Sequence, residues 1–344
     1  MTTLVARSQD LVTVRFAWSP IWETLHAVRT MIDPHTRPYH EAWRAAVARQ
    51  AAELDLSALF AVNPLKGSVP DFLTPPPRVP APAFSDQMAE LRATPAEQVA
   101  TELERCRLTV TKRDQRRQLD QLLADPAAAR DLLADRVQAA WDHLVSRFWP
   151  RIRSLADADI AYRSQQLTGR GLGPMLEDID SRIKWGDGTV IIDDHDDTSV
   201  ELRGRGLVLM PSAFMWPFVA AIIDEPWQPT IAYPARGIAD LWQQAKPPPD
   251  ALARLLGRTR ALLLTSLDQP TSATTLAALV DLSLSGTSGH LVAMRDAGLV
   301  AGMRHGHEIR YARTPLGAAL LRASQSRPAR PSRPARPSRP AGHG

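Results

Sequence analysis

The chain has 344 residues, 44% apolar and 23% charged, with a net charge of +4. That is room for two domains at roughly 100–200 residues each. No apolar run approaches the ~18–20 residues that cross a bilayer. The first ten residues lack the apolar core of a secretory leader, and one cysteine, Cys106, cannot close an internal disulfide. Membrane-spanning and disulfide-framework classes are therefore disfavoured, and the expectation is a cytoplasmic protein.

In chain order, Leu11–Ala17 alternates apolar and polar residues and predicts a short strand. Ser19-Pro20 reads as a helix cap followed by proline at the first helical position. The helix it starts carries Ile21, Trp22, Leu25 and Val28 on one stripe, and a second is expected over Glu41–Leu54. Pro70–Pro82 is too proline-dense for a helix and predicts an extended connector. Thr94-Pro95-Ala96-Glu97 has the form of a capping box, and Asp125-Pro126 repeats the start signal. Helices are expected over Pro95–Val110, Arg113–Leu123 and Ala127–Asp159.

Val190–Asp193, Ser199–Leu202 and Gly206–Met210 are β-type runs between Asp- and Gly-rich turns, which predicts a small antiparallel sheet. Pro226–Pro234 adds an extended piece suited by its prolines to a sheet edge. Lys246-Pro247-Pro248-Pro249-Asp250 is a stiff break. The expected fold class is α+β, mostly helical: an N-terminal helical domain with a small antiparallel sheet (1–246), then a winged helix-turn-helix domain (250–323). A disordered Arg/Pro-rich tail (324–344) ends the chain. The tail repeats Ser-Arg-Pro-Ala-Arg-Pro from Ser326 and Ser332 and carries Arg327, Arg330, Arg333, Arg336 and Arg339.

After the break, a long helix is expected over Ala251–Leu267 and a second from a Thr271 or Ser272 cap through Val280. Ser283 caps a third, about Leu284–Ala297, and Gly298 ends it with a positive φ. Strands Leu299–Met303 and Glu308–Arg313 flank Arg304-His305-Gly306-His307, and Thr314-Pro315 opens a last helix over Leu316–Ala323. Two short helices with a tight link and a following hairpin make a winged helix-turn-helix, whose second helix enters the DNA major groove. The charge agrees. Residues 250–325 hold eight arginines against five acids, and the tail adds five arginines with no acid.

The segment Leu252–Ala323 resembles the ArsR-type winged-helix repressors. The residues that carry the likeness are Leu276-Ala277, Leu282-Ser283, Ser288-x-His290-Leu291, Ala297-Gly298-Leu299-Val300 and Tyr311-x-x-Thr314-Pro315-Leu316-Gly317. Two upstream phrases, Gly204–Ser212 and Tyr233–Gly237, resemble a subgroup in which an uncharacterised N-terminal domain precedes the reader. The resemblance implies a homodimer on a double-stranded DNA operator with two half-sites, and implies no ligand. Two departures stand out. The helix Thr274–Val280 has no cysteine, so the paired-cysteine metal sensing of such repressors is unsupported, and the recognition helix carries Gly286 and Gly289.

The DNA-contacting residues expected are Ser285, Thr287, Ser288 and His290 on the recognition helix, with Arg304, His305, His307 and Arg310 on the wing. Leu291 and Met294 are expected in the core. Asp193–Asp197 reads as a solvated hairpin turn, and His35 and His40 as surface residues. All nine tryptophans precede Pro247 and are expected to build core or line an effector pocket. No phosphate loop, nucleophile elbow or His-Cys pairing is present, so no catalytic residue, cofactor or metal is expected. The function expected is sequence-specific transcriptional regulation, as a repressor that answers to a small-molecule effector or to none. The alternatives are a protein-interaction module and an enzyme in the N-terminal domain.

Overall fold

The computed structural model describes residues 1–325 apart from 8, 9, 11, 12, 36, 66–68, 187, 194–197, 243–246, 269, 281, 306 and 307. The fold is α+β and mostly helical, and the chain divides into two compact units, 1–243 and 244–344. Among the described residues no helix is long and apolar enough to cross a membrane. The arginine tail from Ser326 lies outside the described residues.

In the first unit, β1 (Thr2–Val5) and β2 (Val14–Phe16) precede α1 (Pro20–Ile32). Ser19 caps α1 by accepting from Trp22 N at 3.1 Å. Then come α2 (Glu41–Glu53), α3 (Ser57–Ala61), α4 (Phe84–Arg92), α5 (Ala96–Thr109), α6 (Arg113–Leu123) and α7 (Pro126–Ala140). Asp125 caps α7 through Ala128 N at 3.0 Å. The box at Thr94 does not form: its hydroxyl turns back to Glu90 O, and α5 starts without a side-chain cap. The helix expected over Ala127–Asp159 is interrupted by a π turn (Trp141–Val145) and a 3-10 turn (Ser146–Phe148) before α8 (Trp149–Arg170). Pro150 is the reason, since it has no N–H to continue the ladder and its ring opposes the carbonyl four residues back.

After α9 (Leu172–Glu177) come β3 (Ile183–Gly186), β4 (Thr189–Ile192), β5 (Thr198–Glu201), β6 (Leu207–Ser212), β7 (Ala220–Ile222) and β8 (Thr230–Pro234). They do not make the single antiparallel sheet expected. One mixed sheet has the order β3-β4-β1-β5 and another β2-β6-β8-β7. The two N-terminal strands cause this: β1 pairs antiparallel with β4 and parallel with β5, and β2 runs parallel to β6. β4 and β5 therefore flank β1 and do not pair with each other, and the Asp193–Asp197 segment, expected as a solvated hairpin turn, lies between them. Its residues 194–197 lie outside the described ones.

β6 is buried along its whole length, as its run Leu207-Val208-Leu209-Met210 suits. Val208 N bonds Pro229 O across to β8, so Pro211 faces the β2 side, beyond the end of that strand at Phe16. Its missing N–H costs no ladder bond. β8 is interior, between β6 and β7, because its prolines sit before it or at its last position. Leu207, Leu209, Ile231 and Tyr233 pack to one side with Leu4 and Ile192; Met210 and Ala232 pack to the other with Trp22. The helices enclose a separate core around Leu25, Trp43, Leu103, Leu133 and Phe214.

His40 is a correction. It is fully buried, stacks on Phe214 at 4.6 Å and accepts from Trp242 Nε1 at 2.9 Å. His35 is exposed.

The second unit contains α10 (Asp250–Leu256), α11 (Arg258–Ser266), β9 (Thr271–Ser272), α12 (Ala273–Val280), α13 (Leu284–Asp296), β10 (Val300–His305), β11 (Glu308–Arg313) and α14 (Pro315–Gln325). The expected single helix 251–267 is two, broken at Gly257, whose φ of +82° is not helical. β9, β11 and β10 form an antiparallel sheet in the order β10-β11-β9. Leu252, Leu263, Leu264, Leu276, Leu291, Met294, Val300, Tyr311 and Leu321 make its core.

Candidate nucleic-acid interface

Local sequence sets both ends of the helix pair α12–α13. Ser272 Oγ accepts from Thr275 N at 3.2 Å, which satisfies an orphan donor at the start of α12. Ser283 Oγ does the same for Gly286 N at 3.2 Å at the start of α13. Between them Leu282 N bonds back to Ala277 O at 2.9 Å and keeps the link tight. At the far end Gly298, with φ +70°, donates to Arg295 O at 2.8 Å while Leu299 N reaches Met294 O at 2.9 Å. This paired closure satisfies the last carbonyls and turns the chain straight into β10. Thr314 caps α14 through Gly317 N at 3.1 Å. Gly317 is needed there, since a Cβ would stand 2.2 Å from Leu299 O.

α13 presents two stripes. Thr287, Leu291 and Met294, spaced by four and three, are buried. Ser285, Gly286, Gly289 and Val292 form the exposed stripe, with Ser288 and His290 half-buried at its sides. Thr287 must therefore leave the expected contact set: at 0% exposure it offers no surface, and its hydroxyl has no hydrogen-bond partner. Gly286, Gly289 and Val292 join the outward face instead. Their signal was already in the sequence, because they lie on the opposite phase to Leu291 and Met294. Leu284 and Val292 make this face partly apolar, at 49% and 40% exposure.

In the β10–β11 hairpin the register pairs Arg304 with Ile309 and Met303 with Arg310. Directly opposed residues share a face and adjacent ones alternate. Arg304 and Arg310 thus project from opposite faces: Arg304 is exposed, Arg310 half-buried. His305 ends β10 and its side chain is outside the described residues, as is the whole of His307. Around the hairpin base, Arg313 pairs with Asp268. The structure thus gathers Ser285, Ser288 and His290 on one helix and separates the two wing arginines.

A family model described as a family of unknown function, DUF5937, matches residues 87–239, less than half of the chain. The match begins within α4 and ends after β8, so it leaves out β1, β2 and α1. Yet β1 and β2 complete both sheets, and Glu23 of α1 accepts from Ser212 Oγ at 3.0 Å, Ala213 N at 2.7 Å and Phe214 N at 3.2 Å. The matched segment is therefore only part of the first compact unit, and the second unit is untouched by it. No curated protein and no solved structure matches the chain.

Proposed function

We propose that the second unit is a winged helix-turn-helix of ArsR type and that the protein is a sequence-specific, DNA-binding transcriptional regulator, a homodimeric repressor. The observation that carries this reading is the capped pair α12–α13, with a small-residue stripe facing outward and an arginine-bearing hairpin directly after it. On this reading α13 enters a major groove and brings Ser285, Ser288 and His290 to base edges or phosphates. Gly286 and Gly289 let the helix approach closely. Arg304, Arg310, His305, His307 and the arginine tail neutralise phosphates and supply affinity that is insensitive to sequence. The first unit dimerises the protein, senses a signal, or both. An effector would act only through unequal affinity for two dimer geometries. The protein is read as acting in the cytoplasm.

Fluorescence anisotropy with duplexes from the chain's own promoter tests this. Binding should weaken steeply from 50 to 200 mM salt, and Arg304→Ala with Arg310→Ala should flatten the log–log slope by about one per lost phosphate contact. Absence of salt-sensitive binding to every promoter fragment would sink the proposal.

One observation favours a second reading. Leu284 and Val292 on the outward face of α13, and Met303 and Ile309 on the hairpin, are exposed apolar residues. A protein partner would cover them, and DNA would leave them largely wet. Salt-insensitive binding lost on Val292→Ser would support that alternative.

A further inference from the structure

We propose that the first unit holds a ligand site centred on Arg37, which takes the carboxylate of a small acid with an aromatic or apolar body. Arg37 is 2% exposed. Its guanidinium donates to the backbone carbonyl of Phe214, while its Nε has no partner. Among the described residues no carboxylate pairs with it. Glu23, which also binds this loop, spends both oxygens on Ser212, Ala213 and Phe214. Among charged neighbours, the Arg29 cation acts on it more strongly than the Asp33 carboxylate. Arg29 is itself committed to Asn63 Oδ1 at 2.9 Å and Leu65 O at 2.9 Å. Burial, then the Arg29 charge, brings Arg37 down to about 10, with Asp33 offsetting part of this through space. His26 is held neutral by burial and by the same two arginines.

A buried arginine without a counter-anion lowers stability, and a fold tolerates that where an anion arrives later. Its fork of donors matches a carboxylate in two parallel hydrogen bonds. The surroundings point to the rest of the ligand. Phe218 is 42% exposed with its ring centre 5.3 Å from the Arg37 guanidinium carbon. Tyr39, two residues along and 41% exposed, stands edge-on to Trp216 at 4.6 Å. Phe218 beside the guanidinium, with the Tyr39–Trp216 pair each two residues along from Arg37 and Phe218, selects an apolar body with a single anionic head at the unpartnered Nε, rather than a bare inorganic anion. The position agrees as well: Phe214 follows β6, and ligands of open sheets with parallel strands bind beyond the carboxyl ends of those strands.

The test uses the full chain and the intrinsic fluorescence of its tryptophans, all of which precede Pro247. Benzoate and phenylacetate are titrated beside their uncharged amides and beside inorganic phosphate at equal ionic strength. The proposal expects at least one acid to raise the thermal midpoint of the tryptophan transition saturably, with neither amide nor phosphate doing so. Arg37→Met should abolish the shift, Arg37→Lys should weaken binding at least tenfold, and Phe218→Ala with Tyr39→Ala should weaken it several-fold. The last pair is exposed and keeps the question open to test if Arg37→Met does not fold. No shift with either acid, an equal shift in Arg37→Met, an equal shift with phosphate, or unchanged affinity in the aromatic double variant would each overturn the site. These outcomes are independent of DNA binding by the second unit.

Discussion

Gly289→Ala separates helix stability from DNA contact. Gly289 sits in the interior of α13, exposed, and an added Cβ would meet nothing within 4 Å. Its φ is helical, so alanine removes only the conformational freedom that glycine carries in the unfolded chain. The expected gain is about 0.8–1 kcal/mol. For a unit of this size that is a rise in melting midpoint of roughly 3–8 °C. Two neighbours calibrate it. At Gly286 the new carbon would stand 3.0 Å from Ser283 Oγ, the cap oxygen, so the gain should shrink. At Gly317 it would stand 2.2 Å from the Leu299 carbonyl, so alanine should destabilise the unit. Hydrogen exchange of peptides within Leu284–Asp296 measures the effect, which should slow exchange about four- to fivefold in Gly289→Ala, while tryptophan fluorescence reports the first unit unchanged. If this face meets DNA, the more stable variant should bind it more weakly. Unchanged exchange would refute the helix argument, and affinity that rises with stability would remove Gly289 from the interface.

Thr287→Val should stabilise the second unit by about 1 kcal/mol, because it replaces a buried hydroxyl that has no partner with an isosteric methyl. DNA affinity should be unaltered, and a large affinity loss would return Thr287 to the interface. In the first unit, burial lowers His40 to about 3, with the Arg37 and Arg44 charges adding to the effect. Its neutral form therefore contributes stability that is fully present above the unfolded value of 6.5 and lost as pH falls toward 3. At about 1.36 kcal/mol per pH unit of separation, the contribution is of order 5 kcal/mol. His26 acts in the same direction. Glu23, raised to about 7 by burial, opposes them: its contribution is complete below 4.5 and lost as pH rises through 7. Denaturant unfolding from pH 4 to 8 should show a shallower acid limb in His40→Phe than in wild type, and an unchanged limb would contradict the assignment.

How much could be read in advance depended on range. The second unit is punctuated locally. Ser272, Ser283, Gly298 and Thr314 each act within three to five residues, so its helices and hairpin were legible to within a few positions. Place within the first turns of α13 does not separate Thr287, buried in phase with Leu291 and Met294, from Gly289 and Val292 on the outward side; helical phase does. The break at Gly257 is a glycine in a pattern otherwise good for a helix, where only the packing decides. The first unit depends on pairings no local pattern contains. Thr2 lies beside Ile192, Val14 beside Leu207, and His40 is buried by Trp242. Sheet order, the unpartnered Nε of Arg37 and the burial of His40 all follow from such contacts, and none is visible from spacing.

The central claim is that the second unit reads DNA as a symmetric pair. Hydroxyl-radical footprinting of the full chain on fragments of its own promoter tests it directly. The expected result is two protected half-sites separated by about one helical turn, or a multiple of it, with inverted-repeat sequence and protection that disappears at high salt. Protection of a single unpaired site would remove the dimeric repressor, and no protection on any fragment would contradict the DNA-binding reading itself.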